Sequence, residues 1–209
     1  MISKSIKTYL AAAGATLGFA IAGSFASSPA ALAQNCQEMC PTVGQQICCP
    51  GSSQADFEHM GSQLTVVATT NGCFLVTSCI PPPPCTAQPW QVTLALQQFD
   101  GIAHDPNLGT IHWRNDPRRP ASPATLRGID KGQFPAYGTI SFFAIAEIDG
   151  VPGVYRSREE VRLVNERVQS FNPFVNELYH REQGAPPISF INDQTGDEIL
   201  LNDLTSLLN

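Results

Sequence analysis

Apolar residues recur at every second position over several stretches of this chain. Trp90, Val92, Leu94 and Leu96 alternate with Gln91, Thr93, Ala95 and Gln97, the period of a strand with one buried face. The pattern predicts a strand running to about Ala103. Asp105-Pro106-Asn107-Leu108-Gly109 then reads as a turn, in which Asp caps, Pro fixes φ and Gly takes the left-handed position. Thr110 to Arg114 returns as the next strand and ends at Asn115-Asp116-Pro117. A weaker strand, Thr125 to Ile129, precedes a turn at Asp130-Lys131-Gly132. Ile140 to Ile148, almost uncharged and carrying Phe142, Phe143 and Ile145, is the strongest buried-strand candidate. Turns at Asp149-Gly150 and Pro152-Gly153 follow it. Pro187 to Asn192 and Glu198 to Leu201 flank Asp193-Gln194-Thr195-Gly196, a hairpin signal.

Two stretches carry helix punctuation. Ser157 and Glu160 have capping-box spacing, and Val161, Val164, Val168 and Phe171 fit one helix face. Val161 and Leu163 also alternate with Glu160 and Arg162, so over residues 159–171 the strand-rich surroundings favour strand, with helix the alternative. Asn172-Pro173, then Phe174 to Gln183, then Gly184 supply a cap, a proline at the first helical position and a terminating glycine, which predict a short helix. Short alternating runs between turns otherwise argue for a mainly β protein. The expected fold is an antiparallel β-sandwich or barrel-like domain over residues 86–209, with one short helix and a small disulfide-rich segment, residues 34–85, in front.

That segment holds every cysteine: Cys36, Cys40, Cys48, Cys49, Cys73, Cys79 and Cys85. Seven allow three bridges and one leftover thiol. Adjacent Cys48 and Cys49 are not expected to bond to each other and should go to two different partners. The odd cysteine can be a buried thiol, a bridge to a second copy giving a covalent dimer, or a reactive group. A reactive thiol wants a cationic neighbour, and none lies near in sequence. Gln63 to Thr69 reads as a strand, Asn71-Gly72 as a tight turn and Cys73 to Cys79 as the returning strand. Metal is disfavoured against disulfides because no paired Cys-x2-Cys spacing occurs and only His59 lies in the segment. Pro81 to Pro84 predict an extended, stiff connector.

The start of the chain places these cysteines. Lys4 and Lys7 precede an apolar run, Tyr9 to Ala22; Ser27, Ser28 and Pro29 break it, and Ala31-Leu32-Ala33 has the small-x-small form of a signal-peptidase site. The expected result is removal of residues 1–33 by the general secretion route, with no membrane span left behind, and a protein of the periplasm, envelope or medium. The remaining 176 residues lose both lysines of the leader and carry a net charge of −8, which disfavours nucleic acid and anionic lipid as partners. From Gln34 to Trp113 there is no Lys or Arg; nine of the ten later basic residues are Arg.

Few constellations carry chemistry. His104 and His112 lie on either side of one predicted turn, with Asp105 and Asp116 near, and could hold a divalent metal. Two imidazoles are too few for a site, and both acids precede proline, which is ordinary turn chemistry. Arg114, Arg118, Arg119 and Arg127 could clasp an oxyanion or simply offset the acidic N-terminal half. Asp193, Asp197 and Glu198 lack the calcium-loop pattern. No nucleophile elbow, zinc-protease helix, Ser-x-x-Lys or phosphate loop occurs, no cofactor is implied, and a glycosidase carboxylate pair leaves no local signature. The expected role is non-enzymatic, a binding or structural module for an extracytoplasmic ligand or protein. A small secreted hydrolase, metal-assisted through His104 and His112, is the alternative.

Overall fold

The structure, a computed structural model, describes residue 36 and residues 39–130, 132–171 and 176–209. The expected leader, residues 1–33, and Asn172-Pro173 lie outside the described residues. Within them twelve antiparallel strands form one sheet that closes on itself.

Three long strands come first: β1 (Gln46–His59), β2 (Ser62–Ile80) and β3 (Gln91–Asp105). Each of the next four staves is broken once. β4 (Gly109–Asn115) and β5 (Ala124–Gly128) follow one another along the same edge of β3. β6 (Ala136–Phe142) and β7 (Ala144–Ile148) return, interrupted at Phe143. β8 (Tyr155–Ser157) and β9 (Val161–Val168) pair with β7 and β6. β10 (Glu177–Arg181) and β11 (Ile188–Asn192) pair with β9 and β8. Both of these pair with β12 (Glu198–Leu208), which also pairs with β1 from Gly51↔Leu208 to Glu58↔Leu200. The result is an up-and-down barrel of eight staves, a size whose interior is either filled by side chains or holds one small ligand.

Inward positions alternate with outward ones on every stave. On β1 the inward set is Ile47, Cys49, Gly51, Ser53, Ala55, Phe57 and His59, and the outward set includes Ser52, Gln54, Asp56 and Glu58. On β3 the inward residues change from Val92 and Leu94 to Phe99, Gly101 and Ala103, because a register shift against β2 between Cys73 and Phe74 inserts an extra residue. The four stave breaks lie at the waist and are held by polar side chains. Arg119 donates to the carbonyls of Ser157 (2.7 Å) and Arg158 (3.0 Å) and stacks over the Phe143 ring. Glu160 accepts from Ser122 N–H and Oγ–H. Buried Asp116 meets Arg156 at 3.0 Å. Buried Arg181 donates to the carbonyls of Leu201 (3.0 Å), Asn202 and Pro186.

Several expectations are corrected here. Asn71-Gly72 makes no turn: β2 runs straight through it, with Asn71 between Pro50 and Asp100 and Gly72 between Cys49 and Phe99. The expected short helix is strand β10 over Glu177–Arg181, hydrogen-bonded to β9 and β12. Residues 161–168 are strand, as the alternation favours. The proline run is no extended rod. It lies in the β2–β3 connection, where Cys85 N–H donates to Pro82 O, and the pairing of Ile80 with Gln91 brings its two ends together. The sheet therefore continues across Cys85.

Three disulfides join Cys36 to Cys85, Cys40 to Cys79 and Cys48 to Cys73. The first two tether the stretch before β1 to the end where β2 gives way to β3. There Met39 O accepts from Trp90 Nε1 (3.1 Å) and from Gln133 Nε2. Cys48 and Cys73 are direct cross-strand partners, 4.1 Å apart at Cα. Cys49 does not go to a second partner as expected. It is the free cysteine and is buried. Three disulfides fit an oxidising, extracytoplasmic setting. No helix among the described residues is long and apolar enough to cross a membrane.

Candidate functional site: an apolar cavity at one end of the barrel

The two halves of the barrel interior are packed differently. Toward the tethered end, Phe74, Leu126, Phe142, Tyr179, Leu204 and Leu208 are fully buried and fill the space. Toward the other end, the inward positions of β1, β2, β3 and β7 carry Ala55, Ala68, Ala103 and Ala146. Of these, only Ala146 borders the main void; Ala55, Ala68 and Ala103 border a small gap beneath it.

The void is a cavity of about 150 Å³ beneath the four hairpin turns that join β1 to β2, β3 to β4, β7 to β8 and β11 to β12. Phe57 and His59 of β1 face Leu64 and Val66 of β2. Leu108 and Ile111 enter from the β3–β4 hairpin; Ala146, Ile148, Val151 and Tyr155 come from the β7–β8 hairpin, and Ile199 from β12. Below it a gap of about 10 Å³ touches Ser53, Ala55, Ala68, Ala103 and Trp113, sharing Phe57, Val66 and Ile111 with the upper space. An aromatic chain makes the floor: Phe57 meets Trp113 and Phe190 edge-on, and Phe99 links Trp113 to Phe142. Gly101 permits this floor, since a Cβ there would lie 2.5 Å from Trp113 Cδ1.

The turns above owe their shape to the predicted residues. Asp105 Oδ1 accepts from the N–H groups of Asn107 and Leu108. Asn192 Oδ1 accepts from Gln194 and Thr195, and Gly109, Gly150, Gly153 and Gly196 have φ near +80°. Asp193 accepts from Val154 N–H and from Arg156 Nε, and these bonds, that of Val154 first, hold its carboxyl below the usual range.

The cavity wall is apolar apart from His59 and Tyr155. His59 Nε2, Thr70 Oγ1, Trp113 Nε1 and Ser206 Oγ are each buried without a hydrogen-bond partner. Deeper in the barrel, burial pushes the Cys49 thiol up to about 11, and burial followed by the charge of Glu177 also raises the Tyr179 phenol. Glu177 itself accepts from Asn165 Nδ2 and from the N–H groups of Gln169 and Ser170.

The residues singled out from sequence do not meet at this cavity. His104 and His112 lie on the outer surface, His104 opposite Thr110 and His112 opposite Ile102. No group of three His, Cys, Asp or Glu side chains able to hold a metal occurs among the described residues. Arg114 is paired with Glu147, itself opposite His112. Arg119 is committed to carbonyls at the waist, Arg118 is exposed beside it, and Arg127 is exposed in the other half, opposite Gln91. Asp197 and Glu198 accept from Thr195 and Ser189. His59 is the residue that sequence reading passed over as a site. The alternation of β1, which sends Phe57 and His59 to one face, is the signal that could have found it.

No protein-family model matches the chain, and no curated protein matches it. Among solved structures it is similar to DynF from the dynemicin biosynthesis pathway of Micromonospora chersina, at 15% identity over 82% of each chain with a TM-score of 0.68. That likeness is one of fold.

Proposed function

We propose that this protein is an exported, non-enzymatic binding module whose barrel takes up one small apolar molecule beneath its four hairpin turns. The observation that carries the reading is the apolar cavity of about 150 Å³. A cavity of that size and lining suits a benzene-sized guest, and an eight-stave barrel is a common frame for one. Export is supported by the leader pattern of Lys4, Lys7, Tyr9 to Ala22 and Ala31-Leu32-Ala33, and by three disulfides, which persist in oxidising compartments. The outward face of β1, with Gln54, Asp56 and Glu58, is polar, the reverse of a barrel that spans lipid.

The test is titration of the mature protein with benzene, followed by methyl NMR. Saturable shifts at Leu64, Val66, Ile111 and Ile148, with other methyls still, are expected. Absence of any saturable shift at these methyls would overturn the reading.

A further inference from the structure

We infer that a second site, at the tethered end of the barrel and independent of the apolar cavity, binds a neutral saccharide. A cleft of about 410 Å³ lies there, within the size range of small-molecule sites. Its walls come from the stretch before β1, from Trp90, from Gln133 and Phe134 in the β5–β6 loop, and from the residues that follow β9. No Asp, Glu, Lys, Arg or His occurs among its described lining residues. Three glutamines do: Gln169 is exposed, and Gln45 and Gln133 are partly so. Each amide sets an acceptor beside two donors. Gln133 Nε2 donates to Met39 O, and Gln169 Nε2 to Arg167 O at 2.9 Å. These bonds orient the two amides and leave each carbonyl oxygen to a ligand. Gln45 bonds Thr42 and Val76 through its backbone.

An aromatic ring accompanies the amides. Phe134 is partly exposed and is backed by Trp90, with ring centroids 5.1 Å apart. Trp90 Nε1 donates at 3.1 Å to the same Met39 carbonyl that holds Gln133. One carbonyl thus ties the ring support and an amide together, which spares a ligand the cost of ordering them. The ligand's class follows from this lining. A charged molecule would lose water and gain no counter-charge. A wholly apolar one would leave the amides without partners. A sugar ring satisfies both kinds of group. Its neighbouring hydroxyls donate and accept, as an amide does, and its face of C–H groups packs on the negative face of an aromatic ring.

The experiment titrates the disulfide-bonded protein with maltose, cellobiose and trehalose and follows the glutamine side-chain amides by 15N NMR. At tens of millimolar, at least one of these disaccharides should move the Gln133 and Gln169 amide resonances saturably. The methyls of Leu64 and Ile148, at the other end, should stay where they are. Gln169→Ala should weaken that binding about three- to tenfold, the loss expected for one hydrogen bond, and Phe134→Ala should weaken it at least as much. If no disaccharide gives a saturable shift, or if Gln169→Ala leaves the affinity unchanged, the saccharide site is overturned. A shift of the same amides with an uncharged Gly-Ser peptide, and with none of the sugars, would overturn it too. Should Phe134→Ala not fold, Gln169→Ala decides alone, since that side chain is exposed. The apolar cavity stands or falls separately, on its benzene titration.

Discussion

Cys49 shows how much one position of the pleat decides. Alternation along β1 turns Cys48 outward, where it faces Cys73 directly, and turns its neighbour inward, where no cysteine faces it. At 1% exposure Cys49 is out of reach of a second chain. Its thiol is pushed up to about 11 by burial, so it stays protonated at neutral pH. Because the folded value is raised, its contribution to stability is complete below the ordinary thiol value near 9 and is lost as pH rises through about 11. Unreduced native protein should therefore take up almost no alkylating reagent at pH 8 and one equivalent once unfolded. Intact mass should lie ~6 Da below the fully reduced value; more than one label in the unfolded, unreduced chain would contradict the pairing. His180 is raised as well, but by hydrogen bonding rather than by burial. Its Nδ1–H donates to the Arg181 carbonyl and its Nε2 meets Glu166 at 3.0 Å, which together raise the imidazole and lower the carboxyl. The imidazole's share is present below its ordinary 6.5 and lost as pH rises through the raised value; the carboxylate's is present above its ordinary 4.5 and lost as pH falls through the lowered one. Melting temperature against pH should decline above about 6.5 in the wild type, and His180→Gln should flatten that limb. An unchanged limb would remove His180 from the account. The effect is small, since both groups are partly exposed.

At the scale of elements, the staves with apolar inward positions were legible in sequence and those with polar ones were not. β3 announces itself through Trp90, Val92 and Leu94, and the β11–β12 hairpin through Asp193 to Gly196. β10 hides because two of its three inward residues are Glu177 and Arg181, which read as helix surface until their partners are seen: the loop N–H groups of Gln169 and Ser170 for one, three carbonyls for the other. β1 hides because Cys49, Gly51, Ser53 and Ala55 are small. At Asn71-Gly72 a strong local turn preference loses to pairing on both edges, and the glycine is used inside instead, where a Cβ would press to 3.3 Å on the Phe74 ring. The cavity was illegible for a different reason: its wall is gathered from residues 57 to 199, and only closure of the sheet makes them neighbours. Arg181 offers the sharpest test at this scale. Arg181→Met keeps the stem but strands the carbonyls of Leu201, Asn202 and Pro186, and should lower unfolding free energy by about 2–3 kcal/mol in urea. A neutral outcome would mean water serves those carbonyls equally well.

For the whole molecule, the two ends of the barrel are under different control. Four turns lie at the cavity end, whereas the other end is covered by Cys36 and residues 39–45, held by Cys36–Cys85 and Cys40–Cys79 and by the bonds that Trp90 and Gln133 make to Met39. Trp90 is 1% exposed under that cover and Trp113 lies deep in the barrel. Replacing Cys40 and Cys79 by Ser should redden only the Trp90 part of the fluorescence, leave benzene uptake intact, and cost about 2–4 kcal/mol; a shift in the Trp113 part would show that the barrel itself depends on the tether. The β1–β12 seam carries a further consequence. Phe57 pairs with Leu201 and Gly51 with Leu208, so β1 finds its second partner only once β12 is present. Until then the growing polypeptide is an open sheet with two unpaired edges, the state most prone to recruit a neighbour. A chain cut after Asp197 should appear as aggregate or be degraded, with no half-barrel surviving, because contacts this distant in sequence are the last to be rewarded.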